Sequence, residues 1–229
     1  MGVWRDMCEL CRGDADALSG WLAEDSAKIR VCVLMLVCGA ALYGATIGLW
    51  RDPRQSAYVA IKFPLLILLT TMGTAMLNGM FAQLMGTGLS FRNTALLSLM
   101  SFAIFAVIVG SLAPLAVFLL LNIPPMDAPN ARTGEYVLIL VNVLIIAFAG
   151  IIANVRLFAL LSYIIGSATL AARTLFTWLA VNLFLGAQLS WNLRPFFGTH
   201  DMPVVFLREG MFDGNFYEAM FRLIHRLAT

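Results

Sequence analysis

The chain has 229 residues, of which 61% are hydrophobic and only 12% charged, with a mean hydropathy of +0.86 and a formal net charge of +2. Soluble domains carry about 25% charged residues, so this composition excludes a water-soluble globular domain. With no Lys/Arg run beyond isolated pairs, it also excludes a nucleic-acid surface. One all-α membrane domain with short polar ends is the expected class.

Residues 1–30 hold Trp4 and Trp21 among six acids and four bases, with apolar residues too sparse for a core. They read as an amphipathic lead-in lying at the membrane interface. Cys8 and Cys11 have the spacing of half a zinc site, but zinc wants four ligands, and the only histidines, His200 and His225, belong to the tail. A free or lipid-modified thiol pair is the expectation, with no metal and no cofactor.

The first expected span covers 31–50 and is preceded by that mixed-charge segment, not a short basic one, so it is kept as a span and not read as a cleaved leader. Ala40, Gly44 and Gly48 give it small residues every fourth position. In lipid such strips mark close helix approach, because acyl tails cover apolar surface as well as protein does. Trp50 to Arg54 closes it with an interfacial tryptophan, two arginines and Pro53.

The second span, 58–85, is the packing hub. Thr70, Thr74 and Asn78 share one helical face, and Thr71, Ala75 and Gly79 form a small-residue strip beside it. Lys62 stands ~6 Å inside the start of this span by helical rise, close enough for its stem to reach the interface. An anchoring role for Lys62 therefore outweighs an ion site. The third span, 94–121, is nearly charge-free, and Gly110 and Pro114 predict a kink.

Three prolines make 122–130 the clearest loop. The fourth span, 135–165, is either one long tilted helix or a helix that leaves the membrane near Arg156. Residues 157–172 are too short for a further crossing, and nothing between Ala153 and Leu157 resembles a turn. The fifth span, 174–193, carries Asn182, Gly186 and Ser190 on one face and Gln188 and Asn192 on another. Five spans place the termini on opposite sides. Arg12, Lys28, Arg30, Arg92, Arg156 and Arg173 fall on the N-terminal side; Arg51, Arg54, Lys62, Arg132, Arg194 and Arg208 fall on the other. The tie leaves orientation to the cysteines, whose reduced state suits a cytoplasmic N-terminus.

The polar groups at membrane depth are Lys62 and the amides Asn78, Asn142, Asn154, Asn182, Gln188 and Asn192. They read as interhelical hydrogen bonds, against a polar pathway as the functional alternative. No Asp or Glu lies deep in a span, which argues against a carrier coupled to protons or sodium. There is no HExxH and no GxxxxGK[ST], and no histidine at membrane depth could pair with a serine, so no catalytic residue is expected.

The tail, 194–229, leaves the membrane at Arg194-Pro-Phe-Phe-Gly198 and continues as an apolar strip, Met202 to Leu207. Asn215 then reads as an N-cap with Glu218 answering it three residues on. The helix beyond puts Phe216, Met220, Leu223 and Leu227 on one stripe, and Arg222 and Arg226 on another. It either lies flat on lipid or docks a partner through Asn215, Phe216, Tyr217 and Glu218; docking accounts for the long aromatic approach.

Trp50-Arg-Asp-Pro53 followed by Ala60-Ile-Lys-Phe-Pro64, within five spans, resembles the bacterial side of the Yip1-type membrane proteins. That resemblance implies a non-enzymatic helical bundle in a bacterial inner membrane, acting through partners, and transfers no site residue. The expected function is a membrane scaffold or accessory subunit, with a passive channel or small-solute transporter as the alternative. Its expected partners are membrane lipids, other membrane proteins and further copies of the chain, with no nucleic acid.

Overall fold

The computed structural model describes residues 2–22, 26–197 and 203–228, and it is all-helical over them. The helices are α1 (Gly2–Arg12), α2 (Ala15–Trp21), α3 (Ser26–Leu49), α4 (Pro53–Leu84), α5 (Phe91–Ser111), α6 (Ala113–Leu120), α7 (Ala131–Ile165), α8 (Ala168–Asn192) and α9 (Phe216–Ala228). Residues 198–202, and the side chains of Leu223, Arg226 and Leu227, lie outside the described residues. Five helical stretches are long and apolar enough to cross a membrane: 27–49, 53–84, 91–120, 131–165 and 168–192.

The spans begin several residues before their apolar runs, and for α4, α5 and α8 the start is set by a cap. Asp52, with Pro53 in the first turn, accepts from the Arg54 amide, Ser90 from the Asn93 amide and Ser167 from the Leu170 amide. Pro53 therefore opens α4 as well as ending the turn after α3. Gly86 and Gly166, at φ +71°, take the left-handed conformation that stops α4 and α7. The third span breaks at Leu112, between α5 and α6, where Pro114 cannot donate to the preceding turn. Helix α7 runs unbroken through Arg156, so the fourth span is one long helix.

Helices α3, α4 and α5 pack on one another, α8 lies on α4, and α7 bridges α5 and α8. The small residues set the close approaches. A side-chain carbon on Gly44 would fall 2.6 Å from the Val59 carbonyl oxygen, and one on Gly48 2.5 Å from that of Gln55, so α3 and α4 meet backbone to backbone. Gly79 faces the ring of Phe91 on α5, with Thr71 buried and Ala75 half-buried on the same strip. Gly39 on α3 and Gly110 on α5 make a further crossing that the fourfold spacing did not single out. These strips are filled within the chain itself.

The N-terminal segment departs from expectation. Leu10, Leu18 and Trp21 are buried in the core, so α1 and α2 fold back over one end of the bundle. Asp6 and Lys28 form a buried ion pair at 3.0 Å, Lys28 lies 4.5 Å over the Trp21 ring, and the Trp21 indole donates to Glu9. Three large residues at the right spacing suffice for docking, although the segment is polar overall. Its outer side still exposes Val3 and Trp4.

Side-chain bonds define two ends. At one, Arg92 donates to the Leu22 carbonyl and Tyr163 to Asp16, joining the start of α5 and the end of α7 to the N-terminal pair. At the other, the Trp50 indole donates to the Pro124 carbonyl, and Gln55 donates to the Pro195 and Phe196 carbonyls. The N-terminal pair and the tail thus sit at opposite ends. Cysteines placed at positions 3 and 229, in a background without native cysteines, are expected to react with an impermeant thiol reagent from opposite sides of the membrane. Labelling of both from one side would contradict the odd number of crossings.

Candidate functional site

Polar residues on α4 and α8 meet along one seam. The threonines of α4 satisfy themselves by donating to the carbonyl four residues back, Thr70 to Leu66, Thr71 to Ile67 and Thr74 to Thr70. Asn78 reaches across and donates to Asn182 at 3.2 Å, while the Trp178 indole donates to the Asn78 backbone carbonyl at 2.9 Å. Gly186 lies against Thr70. The face of α8 bearing Asn182, Gly186 and Ser190 therefore looks at α4 and its surroundings.

The other amides are also engaged. Tyr43 donates to Asn142 at 2.6 Å, Asn142 and Asn154 donate to carbonyls of their own helix, and Gln188 donates to Asn192. Gln188 turns its oxygen to the Phe216 amide. These bonds are interhelical pegs and helix-internal caps, and Tyr43, absent from the sequence reading, is one of the pegs.

Lys62 requires a correction. It is fully buried, its ammonium donates to the Pro195 carbonyl at 2.9 Å, and it lies 5.2 Å over the Phe206 ring. Because α4 begins at Pro53, Lys62 stands roughly 13 Å inside the helix, and the returning tail covers it. Its ammonium reaches the level where the last span ends, but meets the Pro195 carbonyl of the tail there and not open solvent.

The tail folds onto α8. The ring of Tyr217 stacks on Phe184 at 4.7 Å and its hydroxyl donates to the Phe184 carbonyl, while Phe216 meets Trp191 edge-on. Burial raises the Tyr217 phenol above its ordinary pKa. Asn215 caps α9 as expected, accepting from the Glu218 amide at 2.8 Å. Glu218 does not return the bond to the cap; its carboxylate pairs with Arg222 one turn on. Phe216 and Tyr217 are thus engaged within the chain, and Phe221 remains exposed.

Two cavities lie among these elements. One, of about 880 Å³, is walled by α4, α5, α7 and α8 through residues such as Ile67, Phe102, Ile151, Leu179 and Leu183. Thr70, Ser98, Asn154 and Asn182 are among its few polar groups. The other, of about 920 Å³, lies at the tail end under Trp191, Arg194, Pro203, Val205 and Arg208. Phe63, Leu66, Ile146 and Ser190 line both, so they form one crevice running from membrane depth to the tail. Composition announces apolar helices but not a gap among them, which arises because α7 reaches the bundle mainly through α5 and α8.

Cys8, Cys11, Cys32 and Cys38 are free thiols, and no cluster of three or more metal-ligating side chains occurs among the described residues. Partial burial, reinforced by Cys8, raises the Cys11 thiol. That makes it a weak nucleophile.

No family model, curated protein or solved structure matches the chain.

Proposed function

We propose that the protein is a non-enzymatic integral membrane protein that works by holding a lipid-like amphiphile in the crevice between α4, α5, α7 and α8. The observation behind this reading is the crevice itself. At about 880 Å³ its membrane-depth part falls among ligand cavities, typically about 300–1,000 Å³. Its walls are apolar, and most of their polar groups are already bonded to protein. Such a space favours acyl chains over water. A conducting path is the weaker reading, because the amides that would line it are spent on pegs.

A scaffold or accessory-subunit role remains compatible with lipid binding. The Yip1-type likeness supports such a role through the residues quoted for it alone. Since the glycine strips are occupied within the chain, any partner surface shifts to α9, where Phe221 is 74% exposed.

Gly150 lines the crevice, and a side-chain carbon there would meet nothing within 4 Å. Gly150→Phe is therefore expected to fill the space while the bundle still folds. Lipid carried through mild-detergent purification, measured by mass spectrometry, should fall about tenfold, the equivalent of ~1.4 kcal/mol. An unchanged lipid content in the folded variant would refute the reading.

A further inference from the structure

We propose that the tail end of the crevice is a headgroup site for an anionic phospholipid, read by Arg194 and Arg208 on either side of Trp191. This rests on the crevice reading and adds the identity of its occupant.

Arg194 follows α8, its guanidinium carbon 3.1 Å from the centre of the Trp191 ring and its Nε donating to the Trp191 carbonyl at 3.0 Å. Arg208 comes from the returning tail, 5.5 Å from the same ring, and donates through one terminal nitrogen to the Asp213 backbone carbonyl. Among the described residues, neither guanidinium pairs with a carboxylate. Two like charges gathered at one indole repel each other, and desolvation adds to the cost. Both effects lower the Arg194 pKa, desolvation first and Arg208 second.

Two N–H groups at this place are buried without an acceptor among the described residues: Nε1 of Trp191 and Nε of Arg208. Buried donors in folded proteins nearly always have partners, and an indole and a guanidinium beside a second guanidinium are matched by phosphate oxygens. Glu135 and Glu209 also line the cavity. They oppose an anion, so the selectivity comes from the arginines' placement at Trp191 and not from net charge.

The site could take a soluble phosphate or a lipid headgroup, and its continuity decides for the lipid. Phe63, Leu66 and Ile146 carry the same space down to membrane depth, where an acyl chain attached to the headgroup would lie. The site also follows Asn192, where the last span ends, which is the level of a headgroup.

The test is native mass spectrometry of the full chain in detergent, titrated with phosphatidylglycerol, with phosphatidylcholine of identical tails, and with glycerol phosphate. Phosphatidylglycerol should bind about tenfold more tightly than phosphatidylcholine, or ~1.4 kcal/mol. Glycerol phosphate should bind far more weakly than either. Arg208→Gln should erase the preference and weaken phosphatidylcholine binding as well, though less, since both lipids carry the phosphodiester, and Arg208→Lys should restore part of the preference. An unchanged helical circular-dichroism spectrum reports that the variant is folded. Glu209→Gln should increase the preference. Equal binding of the two lipids by the unaltered chain would overturn the headgroup site and leave the crevice standing. Failure of both lipids to bind would remove the crevice reading with it. Glycerol phosphate binding as tightly as phosphatidylglycerol would overturn the choice of a lipid.

Discussion

Replacing Gly44 with leucine is expected to abolish the detergent-stable folded bundle, while the same change at Gly79 weakens it and the change at Gly150 leaves it folded. The order follows from what each new side chain meets. At Gly44 the obstruction is the Val59 carbonyl oxygen and the first side-chain carbon of Phe63, neither of which can move without moving α4. At Gly79 it is the ring of Phe91, which is 44% exposed and has room to swing aside. At Gly150 nothing stands in the way. Overpacking that side chains can absorb costs about 1–3 kcal/mol; forcing two backbones apart also removes the packing along the seam, against a total stability of about 5–15 kcal/mol. Size-exclusion profiles of the three variants after heating would rank them. Equal losses at Gly44 and Gly79 would mean that the α3–α4 crossing is not the rigid element of the bundle.

The same glycines show how far the sequence could be read. Small residues every four positions identified the α3–α4 contact at Gly44 and Gly48, since that spacing returns to one face of a helix. It passed over Gly39, which has Met35 and Tyr43 four positions to either side, and over the Ala106–Gly110 pair that faces it on α5, where Gly110 reads only as part of a kink. Spans were legible because twenty apolar residues have few alternatives to a membrane. Their starts were not, because a cap such as Asp52 or Ser167 is polar and lies before the apolar signal. The crevice was illegible for a different reason: it depends on which helices fail to touch. Arg194 and Arg208 entered only as two charges on one side, although Trp191 and Arg194, three apart, already shared a face. The helix start set Lys62 too near the end of α4, and nothing in the sequence showed that the tail would cover it.

Asp6→Ala is expected to release α1 and α2 from the end of the bundle. The Asp6–Lys28 pair is almost closed to solvent, with the two side chains 11% and 8% exposed. Removing the carboxylate deletes a buried, charge-assisted hydrogen bond of Lys28, typically worth about 1.5–3 kcal/mol. The other contacts of this segment are the buried Leu10, Leu18 and Trp21 and the bonds from Arg92 and Tyr163. The loss should therefore appear as local opening, with amide exchange in residues 2–22 rising by about one order of magnitude or more, as ~1.5 kcal/mol requires. Exchange in α4 and α5 should be unchanged. Asp6→Asn, which keeps an acceptor for the Lys28 ammonium, should lose less protection than Asp6→Ala. If Asp6→Ala exchanges as slowly as the unaltered chain, the ion pair is dispensable and the segment is held by its apolar residues and by the bonds from Arg92 and Tyr163.

The ammonium of Lys62 and the carbonyl of Pro195 are 133 positions apart in the chain. At about 5–20 residues per second of synthesis, the lysine waits on the order of ten seconds for the acceptor it meets in the folded chain. Until then its ammonium, at the level where the last span will end, faces water and headgroups, because Pro195 can close over it only after that span has been made. The arrival of the tail, not the emergence of the second span, is the moment at which this end of the bundle closes.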